Sequence, residues 1–444
     1  FLFVQSVTKM SAGRRRRAAG RLLTGMIVRE QFDNGLCLLT ESMPDVRSVS
    51  FAAWLTRGSR HESATHSGIA HFIEHMLFKG TATRSAEDIA QEIDSLGGQL
   101  DAFTAKECAS YYVKVLDEHL PRAVDVLADL LLHPAFDAGD IEREKKVVLE
   151  EIKMVEDTPD DLVHELFTQR FWSGHPLGRP ILGVPETVAD LDRATLCEYF
   201  GRVYSAKNLV LAVAGHVDHA AVRDLVADTF GALPLNGEQV ETSAPTARSG
   251  LALRSKPLEQ CHICLGVSGY PYQHDDRYVC YVLNVVLGGS MSSRLFQNIR
   301  EKRGLAYAVS SGLVSYQDGG AVTIYAGCDT DAVREVIDLV VAELQDLRDR
   351  PIASEELRRA KDHLRGSLVL GLESTSSRMS HMARQEIYFG RQFTLDETLQ
   401  GVERVTSDDV QRVARDLFPP GGLAATVLGP VDRLGLSDDQ LGLV

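Results

Sequence analysis

The segment Ser67-Gly-Ile-Ala-His-Phe-Ile-Glu-His-Met-Leu-Phe-Lys-Gly80 is mostly apolar but carries three polar groups close together. Its spacing predicts a helix with Ser67 as the N-cap and Gly80 as the stop, which places His71, Glu74 and His75 on one face. Apolar residues cover most of the other directions. We therefore expect a buried helix with one polar stripe.

The polar groups of this stripe need binding partners, because burying an imidazole or a carboxylate without a partner is unfavourable in free energy. Two histidines one turn apart can both bind one Zn²⁺, and a glutamate between them can act as a general base. Core histidines with ordinary hydrogen-bond partners are the alternative interpretation. The H-x-x-E-H spacing favours the metal, since it is the inverse of the H-E-x-x-H helix of zinc proteases and is itself a known motif.

The motif and its surroundings resemble the inverzincins, the pitrilysin/insulinase family of zinc metallopeptidases, and most narrowly the mitochondrial processing peptidase β subunits and their bacterial relatives. Matching segments run from about residue 28 to residue 432. The resemblance implies a zinc-dependent metalloendopeptidase for extended or unfolded peptides. His71 and His75 would hold one Zn²⁺ per chain, with Glu74 as the base. A non-catalytic structural or partner subunit of the same fold is the alternative.

Catalytic zinc needs a third protein ligand. The acidic helix predicted over residues 140–156 offers four candidates, which are Glu142, Glu144, Glu150 and Glu151. Glu144 and Glu151 share a helix face, whereas Glu150 is turned about 100° away. The residues alone leave the choice open. In the resembled family, the spacing from the second histidine selects Glu151 as the ligand, and Glu144 matches a carboxylate that supports the site.

Residues 287–307 resemble the family's glycine-rich turn followed by an arginine and a tyrosine. Arg300 and Tyr307 match these two positions. The resemblance implies that they donate hydrogen bonds to the substrate carbonyl or oxyanion. Without the family, Arg300 would be interpreted as an ordinary surface residue.

Two further segments concern the substrate. The strand after Gly97-Gly98 resembles the family's edge strand, on which an extended peptide adds by main-chain hydrogen bonds. Its Asp101 and Ala102 are the expected contacts, although Asp101 stands where mitochondrial members usually carry Asn. Asp161 and Glu165 match carboxylates that hold a substrate arginine in processing peptidases. An exposed acidic pair without a function is the alternative.

A repeat predicts two similar domains, because Gly215 and Gly429 end related apolar segments 214 residues apart. Hairpin strands mix with helices without strict alternation, which favours the α+β class, with each domain an antiparallel sheet faced by helices. We expect a disordered basic extension over 1–26, a zinc-binding domain over 27–245 and a related domain over 246–444.

The composition of the chain limits the classes of partner and the cellular location that we expect. The net charge of −15 argues against nucleic acid and suits a cationic peptide, and no apolar run is long enough to span a membrane. Seven scattered cysteines indicate reduced thiols, and Cys261-His-Ile-Cys264 is interpreted as part of a strand. The expected location is the bacterial cytoplasm. The mitochondrial matrix is the alternative, because residues 1–29 are basic and contain no acid.

Assembly is expected from the resemblance as well. Longer single-chain members of the family enclose a chamber with four such domains, whereas this chain has two. Two copies would rebuild the four, so that Arg300 and Tyr307 of one chain serve the zinc of the other in a homodimer. A heterodimer with an inactive related subunit is the alternative.

Overall fold

The structure is a computed structural model that describes residues 26–442 except 236, 238, 239 and 241. The predicted basic extension therefore lies outside the described residues apart from Met26, which is exposed. The chain forms two α+β halves, as predicted. None of the helices in the described part is long and apolar enough to span a membrane.

The first half contains six strands and eight helices among its described residues. In chain order they are β1 Val28–Gln31, β2 Cys37–Ser42, β3 Ser48–Leu55, α1 Ile69–Leu77, α2 Ala86–Ser95, β4 Gln99–Thr104, β5 Ala109–Leu116, α3 Leu120–Leu132, α4 Ala138–Asp157, α5 Pro159–Phe171, α6 Pro185–Ala189, α7 Arg193–Val203, β6 Leu209–Gly215 and α8 His219–Phe230.

The second half repeats this arrangement with five strands and six helices in its described part. They are β7 Gly250–Ser255, β8 Cys261–Gly269, α9 Arg277–Leu287, β9 Ala306–Ser315, β10 Gly320–Cys328, α10 Val333–Asp349, α11 Ser354–Gly371, α12 Thr375–Phe389, α13 Leu395–Glu403, α14 Ser407–Leu417 and β11 Ala424–Gly429. A π-helical turn over Phe296–Glu301 precedes β9.

Both sheets are mixed, which corrects the expectation of purely antiparallel sheets. The first has the order β1-β2-β6-β3-β5-β4 and the second β7-β11-β8-β10-β9. Neighbours are antiparallel except β2 with β6 and β7 with β11. The exception arises because the last strand of each half returns after a series of helices and inserts between two earlier strands, β2 and β3 in the first half and β7 and β8 in the second, a crossover that permits parallel pairing.

The repeat is visible in the backbone of the two inserted strands. Gly215 ends β6 with φ of 141°, and Gly429 ends β11 with φ of 148°. At Gly215 a Cβ atom would collide with the carbonyl oxygen of Ser48 on the neighbouring strand. The glycine that marks each end of the repeat is thus required by left-handed backbone and close approach.

Each half contributes one helix that packs on the sheet of the other half. Helix α12 packs on β6 and β3 of the first sheet, where Trp54 Nε1 donates to the sulfur of Met379 at 3.4 Å. Helix α5 packs on β8 and β11 of the second sheet, placing Phe167 directly against Gly266. A division at residue 245 therefore separates the sheets but cuts across the packing of these helices.

A buried cluster of ion pairs joins the two halves shortly before the N-terminus of α1. The Arg60 guanidinium lies 2.5 Å from Glu107 and 2.9 Å from Asp318, and the side chains of Arg60 and Glu107 are each 1% exposed. Glu107 also accepts the backbone N–H of Gln317 at 3.1 Å. The loop before the histidine helix is thereby fixed to the second half.

The seven cysteines form no disulfide in the structure. Cys261 and Cys264 lie on β8 and are fully buried. Burial raises the pKa of the Cys264 thiol. The interpretation of C-x-x-C as part of a strand is correct.

Candidate metal centre

Helix α1 begins differently from the sequence prediction. Its N-cap is Gly68, with φ of 96°, and no side chain of a cap residue bonds the first turn. The carboxyl group of Glu62 takes this role, since its two oxygens accept the N–H groups of Gly68 at 2.8 Å and Ala70 at 2.9 Å. The prediction of Ser67 as the cap is wrong because a buried carboxyl from the preceding loop already satisfies these donors.

The end of α1 also differs from the prediction. The helix ends at Leu77, and Gly80 lies beyond it in a bridge with Ser85. The apolar face is buried as predicted. The helix thus carries its two histidines in a rigid, well-packed element.

His71, His75 and Glu151 converge. One ligand atom from each lies within 4.8 Å of the others. Glu151 Oε2, on α4, is 3.8 Å from His71 Nε2 and 3.6 Å from His75 Nε2. Helix α4 packs against α1 here, so His75 and Glu151, 76 positions apart in the chain, lie side by side.

Glu144 fixes the orientation of His75. Its Oε1 lies 2.8 Å from His75 Nδ1, and its Oε2 lies 2.8 Å from the Lys79 ammonium. The carboxylate accepts the Nδ1–H, which leaves the Nε2 lone pair directed at the point of convergence. Lys79 thus pairs with the carboxylate that orients His75, and no sequence pattern had indicated this lysine.

The other two candidate ligands on α4 face solvent. Glu142 pairs with Lys145 at 2.8 Å, and Glu150 pairs with Lys153 at 2.7 Å. Both glutamates are exposed. The structure therefore brings Glu151, and not Glu150, beside the two histidines.

Glu74 lies on the same face of α1 and reaches β4. The Thr104 hydroxyl donates to Glu74 Oε2 at 2.5 Å, which holds one carboxyl oxygen. Burial raises the pKa of Glu74, and the bond from Thr104 partly offsets this rise. Thr104 was missed from the sequence, although its position two residues after Ala102 places it on the same strand face.

Electrostatics favour uncharged imidazole at His71. Burial, followed by repulsion from His75, lowers the pKa of His71 to about 4. A neutral ring has a free lone pair for a metal. The His71 and His75 rings lie with centroids 4.5 Å apart.

These residues fit a zinc ion. Glu151 Oε2 is buried and has no hydrogen-bond partner among the described residues, so an unpaired acceptor faces two imidazole nitrogens at distances too long for a hydrogen bond. Tetrahedral zinc with ligands at about 2.0–2.1 Å separates its ligand atoms by roughly 3.3 Å. The observed 3.6 and 3.8 Å need only a small contraction. No other cluster of this kind occurs in the described part of the chain.

Asp101 and Ala102 lie on β4, which is the edge of the first sheet. The Ala102 N–H donates to Asp101 Oδ1 at 2.8 Å, and the Tyr112 hydroxyl donates to Asp101 Oδ2 at 3.0 Å. The structure thus places Asp101 and Ala102 on the same edge strand as Thr104, whose hydroxyl donates to Glu74.

Asp161 and Glu165 lie one turn apart on α5, Asp161 exposed and Glu165 half-buried. Neither forms an ion pair with another residue that the structure describes. Burial raises the pKa of Glu165, and the nearby Lys106 ammonium counteracts the rise. Two carboxyl groups are therefore free to meet a cation.

Arg300 and Tyr307 lie together in the second half. The Arg300 guanidinium is 5.3 Å from the centre of the Tyr307 ring and 4.7 Å from that of Phe296. Tyr307 is 81% exposed. Within the described residues of one chain, neither side chain bonds to the metal-site residues.

Comparisons with known proteins agree on the family. Residues 37–184 match the family described as Insulinase (Peptidase family M16), and residues 190–364 match the Peptidase M16 inactive domain. The uncharacterized zinc protease YmxG of Bacillus subtilis is 44% identical, over 88% of this chain and 96% of its own length. The uncharacterized zinc protease ML0855 of Mycobacterium leprae is 42% identical, over 91% and 92%.

Two solved structures have the same fold at low identity. A peptidase M16 inactive domain from Pseudomonas fluorescens has a TM-score of 0.86 at 21% identity, covering 91% of this chain and 98% of its own. A protease from Helicobacter pylori has a TM-score of 0.86 at 22% identity, covering 92% and 100%. With its inverted zinc motif, its matched domains and relatives above 40% identity, the chain belongs to the insulinase family, peptidase family M16.

Proposed function

We propose that this protein is a zinc-dependent metalloendopeptidase that hydrolyses extended or unfolded peptides. The convergence of His71, His75 and Glu151 beside Glu74 carries the proposal. Zinc in that position would polarise a water molecule and a peptide carbonyl. Each chain would hold one ion, because its described residues contain one such cluster.

Glu74 is the proposed general base. Thr104 holds one of its oxygens, so the other is available to accept a proton from the attacking water. Burial raises the pKa of Glu74 and makes its carboxylate a better base. The same group can then deliver the proton to the leaving amine. Glu144 and Lys79 keep His75 in the required tautomer throughout.

The edge strand β4 is the proposed binding site for the peptide backbone. The Ala102 N–H is bonded to the exposed Asp101 carboxylate, which a peptide carbonyl can displace. Because Thr104 on the same strand contacts Glu74, a peptide added to β4 runs past the base. Main-chain pairing of this kind requires an unfolded or extended substrate.

Asp161 and Glu165 are proposed to favour a basic residue in the peptide. Replacing both by lysine should reduce kcat/KM for an arginine-containing peptide several-fold more than for its glutamine analogue, since an exposed pair contributes ~1 kcal/mol. An equal loss on both peptides would instead mean that the pair acts on folding or access.

Arg300 and Tyr307 are proposed to stabilise the developing oxyanion from a second chain in a homodimer. The exposure of Tyr307 and the absence of a bond to the metal residues within the described chain support this arrangement. Mixing Glu74→Gln chains with Arg300→Ala/Tyr307→Phe chains should restore activity, because one site per mixed dimer is then intact. Mixed dimers that form but remain inactive would contradict donation in trans. A heterodimer with an inactive related subunit is the alternative partner.

We propose a bacterial cytoplasmic location, supported by the bacterial relatives and the seven free cysteines. The mitochondrial matrix is the alternative.

Hydrolysis of an unfolded basic peptide tests the proposed activity. Activity should disappear with a zinc chelator and return with added Zn²⁺. Lack of hydrolysis by zinc-loaded protein in dimeric form would instead favour the non-catalytic alternative.

A further inference from the structure

A groove lies between the edge of the first sheet and α12, the helix of the second half that packs on this sheet. It has a volume of about 420 Å³. We call it the α12 groove. Its lining includes two aromatic residues of the sheet and four polar residues of α12, namely Phe103, Tyr112, Ser376, Ser377, Ser380 and Arg384.

The pleat of β4 directs alternate side chains to opposite sides. Leu100 and Ala102 pack toward the core that contains α1, and Thr104 reaches Glu74 on that side. Phe103 points the other way, where its ring meets Trp54 edge-on at 5.4 Å. A peptide strand paired with β4 alternates in the same manner. Every second side chain of the peptide would therefore lie on the side of the sheet that carries the α12 groove, and the one nearest Phe103 would lie over it.

This groove is close to the proposed point of cleavage. Phe103 directly precedes Thr104, whose hydroxyl donates to the proposed base Glu74. The peptide residue opposite Phe103 is thus next to the one opposite Thr104. A preference in the α12 groove would act within one or two residues of the scissile bond.

The α12 groove is positively charged at the end that contains Arg384. Arg384 is exposed, with its guanidinium 5.8 Å from the centre of the Trp54 ring, and no carboxylate of the described residues forms an ion pair with it. Burial lowers the pKa of the adjacent His381, so Arg384 supplies the charge. Asp101, whose carboxylate accepts from the Tyr112 hydroxyl, is not among the residues that line the groove.

We propose that the α12 groove is a subsite for an acidic side chain of the peptide and that Arg384 determines this specificity. The proposal rests on the proposed peptidase function and on pairing with β4. A guanidinium can bind a carboxylate through two N–H groups, and the Ser377 and Ser380 hydroxyls lie on the same lining to assist. The substrate would then carry an acidic residue near the cut in addition to a basic residue at Asp161 and Glu165.

The test uses peptides with amidated ends that differ at one position, Glu, Gln or Lys, moved stepwise along the sequence around the cut. Wild-type protein should prefer Glu over Gln by about three- to five-fold in kcat/KM at one position, the size expected for one exposed ion pair. Arg384→Gln should abolish this ratio, and Arg384→Glu should reverse it in favour of Lys. Arg404→Gln, an exposed arginine after α13, is the matched control and should keep it.

A ratio near one at every position, or a preference that Arg384→Gln leaves intact, would overturn the subsite while leaving the peptidase function standing. If no peptide is cleaved, the proposed function fails. A binding measurement then tests the α12 groove independently of hydrolysis. In that case the dissociation constants of the Glu and Gln peptides are compared on Glu74→Gln protein by fluorescence anisotropy. Tighter binding of the Glu peptide that requires Arg384 supports the proposal, and equal constants overturn it.

Discussion

Replacing Glu62 by alanine should destabilise the protein by about 3 kcal/mol, because the change removes the acceptor for two buried N–H groups at the start of α1. The Glu62 carboxyl accepts the backbone N–H groups of Gly68 at 2.8 Å and Ala70 at 2.9 Å, and Glu62 is only 5% exposed. A buried donor left without a partner costs ~1–3 kcal/mol. Glutamine keeps one carbonyl acceptor, so Glu62→Gln should lose about half as much.

Urea unfolding followed by circular dichroism, with a chelator present, measures this loss. Glu142→Ala is the control, since Glu142 is exposed on α4 and pairs only with Lys145 among described residues; its effect should stay below about 0.5 kcal/mol. Zinc affinity should also fall in Glu62→Ala, because His71 lies in the turn that loses its anchor. Unfolding free energies of Glu62→Ala and wild type that agree within about 0.5 kcal/mol would refute the anchoring role.

The same carboxyl predicts a pH dependence. Burial raises the pKa of Glu62 from its ordinary 4.5 to about 8. Between these values the folded protein binds more protons than the unfolded chain, so the contribution of Glu62 to stability is greatest at low pH and falls as pH rises toward 8. The difference in unfolding free energy between wild type and Glu62→Gln should therefore decrease from pH 5 to pH 8. A difference that grows over this range would contradict the assignment.

Three further changes test other parts of the account. Arg60→Met leaves the buried Glu107 without its cation and should lower the free energy of unfolding by about 3 kcal/mol in urea; a loss below 1 kcal/mol would show that the ion cluster contributes little. Metal analysis should find no zinc in Glu151→Ala and a full complement in Glu150→Ala, and exchanged results would shift the third ligand by one residue. Gly215→Ala should cost at least about 2 kcal/mol in the same unfolding assay, since its φ of 141° and close packing exclude a side chain; wild-type stability would contradict this.

The local patterns of the sequence predicted which residues share the polar face of α1. His71, Glu74 and His75 share a face of α1 because helical geometry alone places them there. The same geometry separated Glu151 from Glu150 on α4. Choosing Glu151 over Glu144 required the family spacing, since only the packing of α4 against α1 decides which of the two faces the Nε2 atoms of both histidines.

Contacts between distant segments could not be predicted in the same way. Glu62 anchors α1 from outside the helix, and no capping pattern marks a residue six positions before the first N–H that it accepts. The exchange of α5 and α12 between the sheets depends on how the halves dock. The contact of Arg60 with Asp318 likewise depends on how the halves dock.

The central claim is tested most directly by measuring zinc content and peptide hydrolysis on the same samples of wild type and Glu74→Gln. Because Glu74 is proposed as the base and not as a ligand, the variant should retain about one zinc ion per chain and lose nearly all hydrolysis of a basic unfolded peptide. Hydrolysis near the wild-type rate by zinc-loaded Glu74→Gln would contradict the account, as would loss of zinc from the variant.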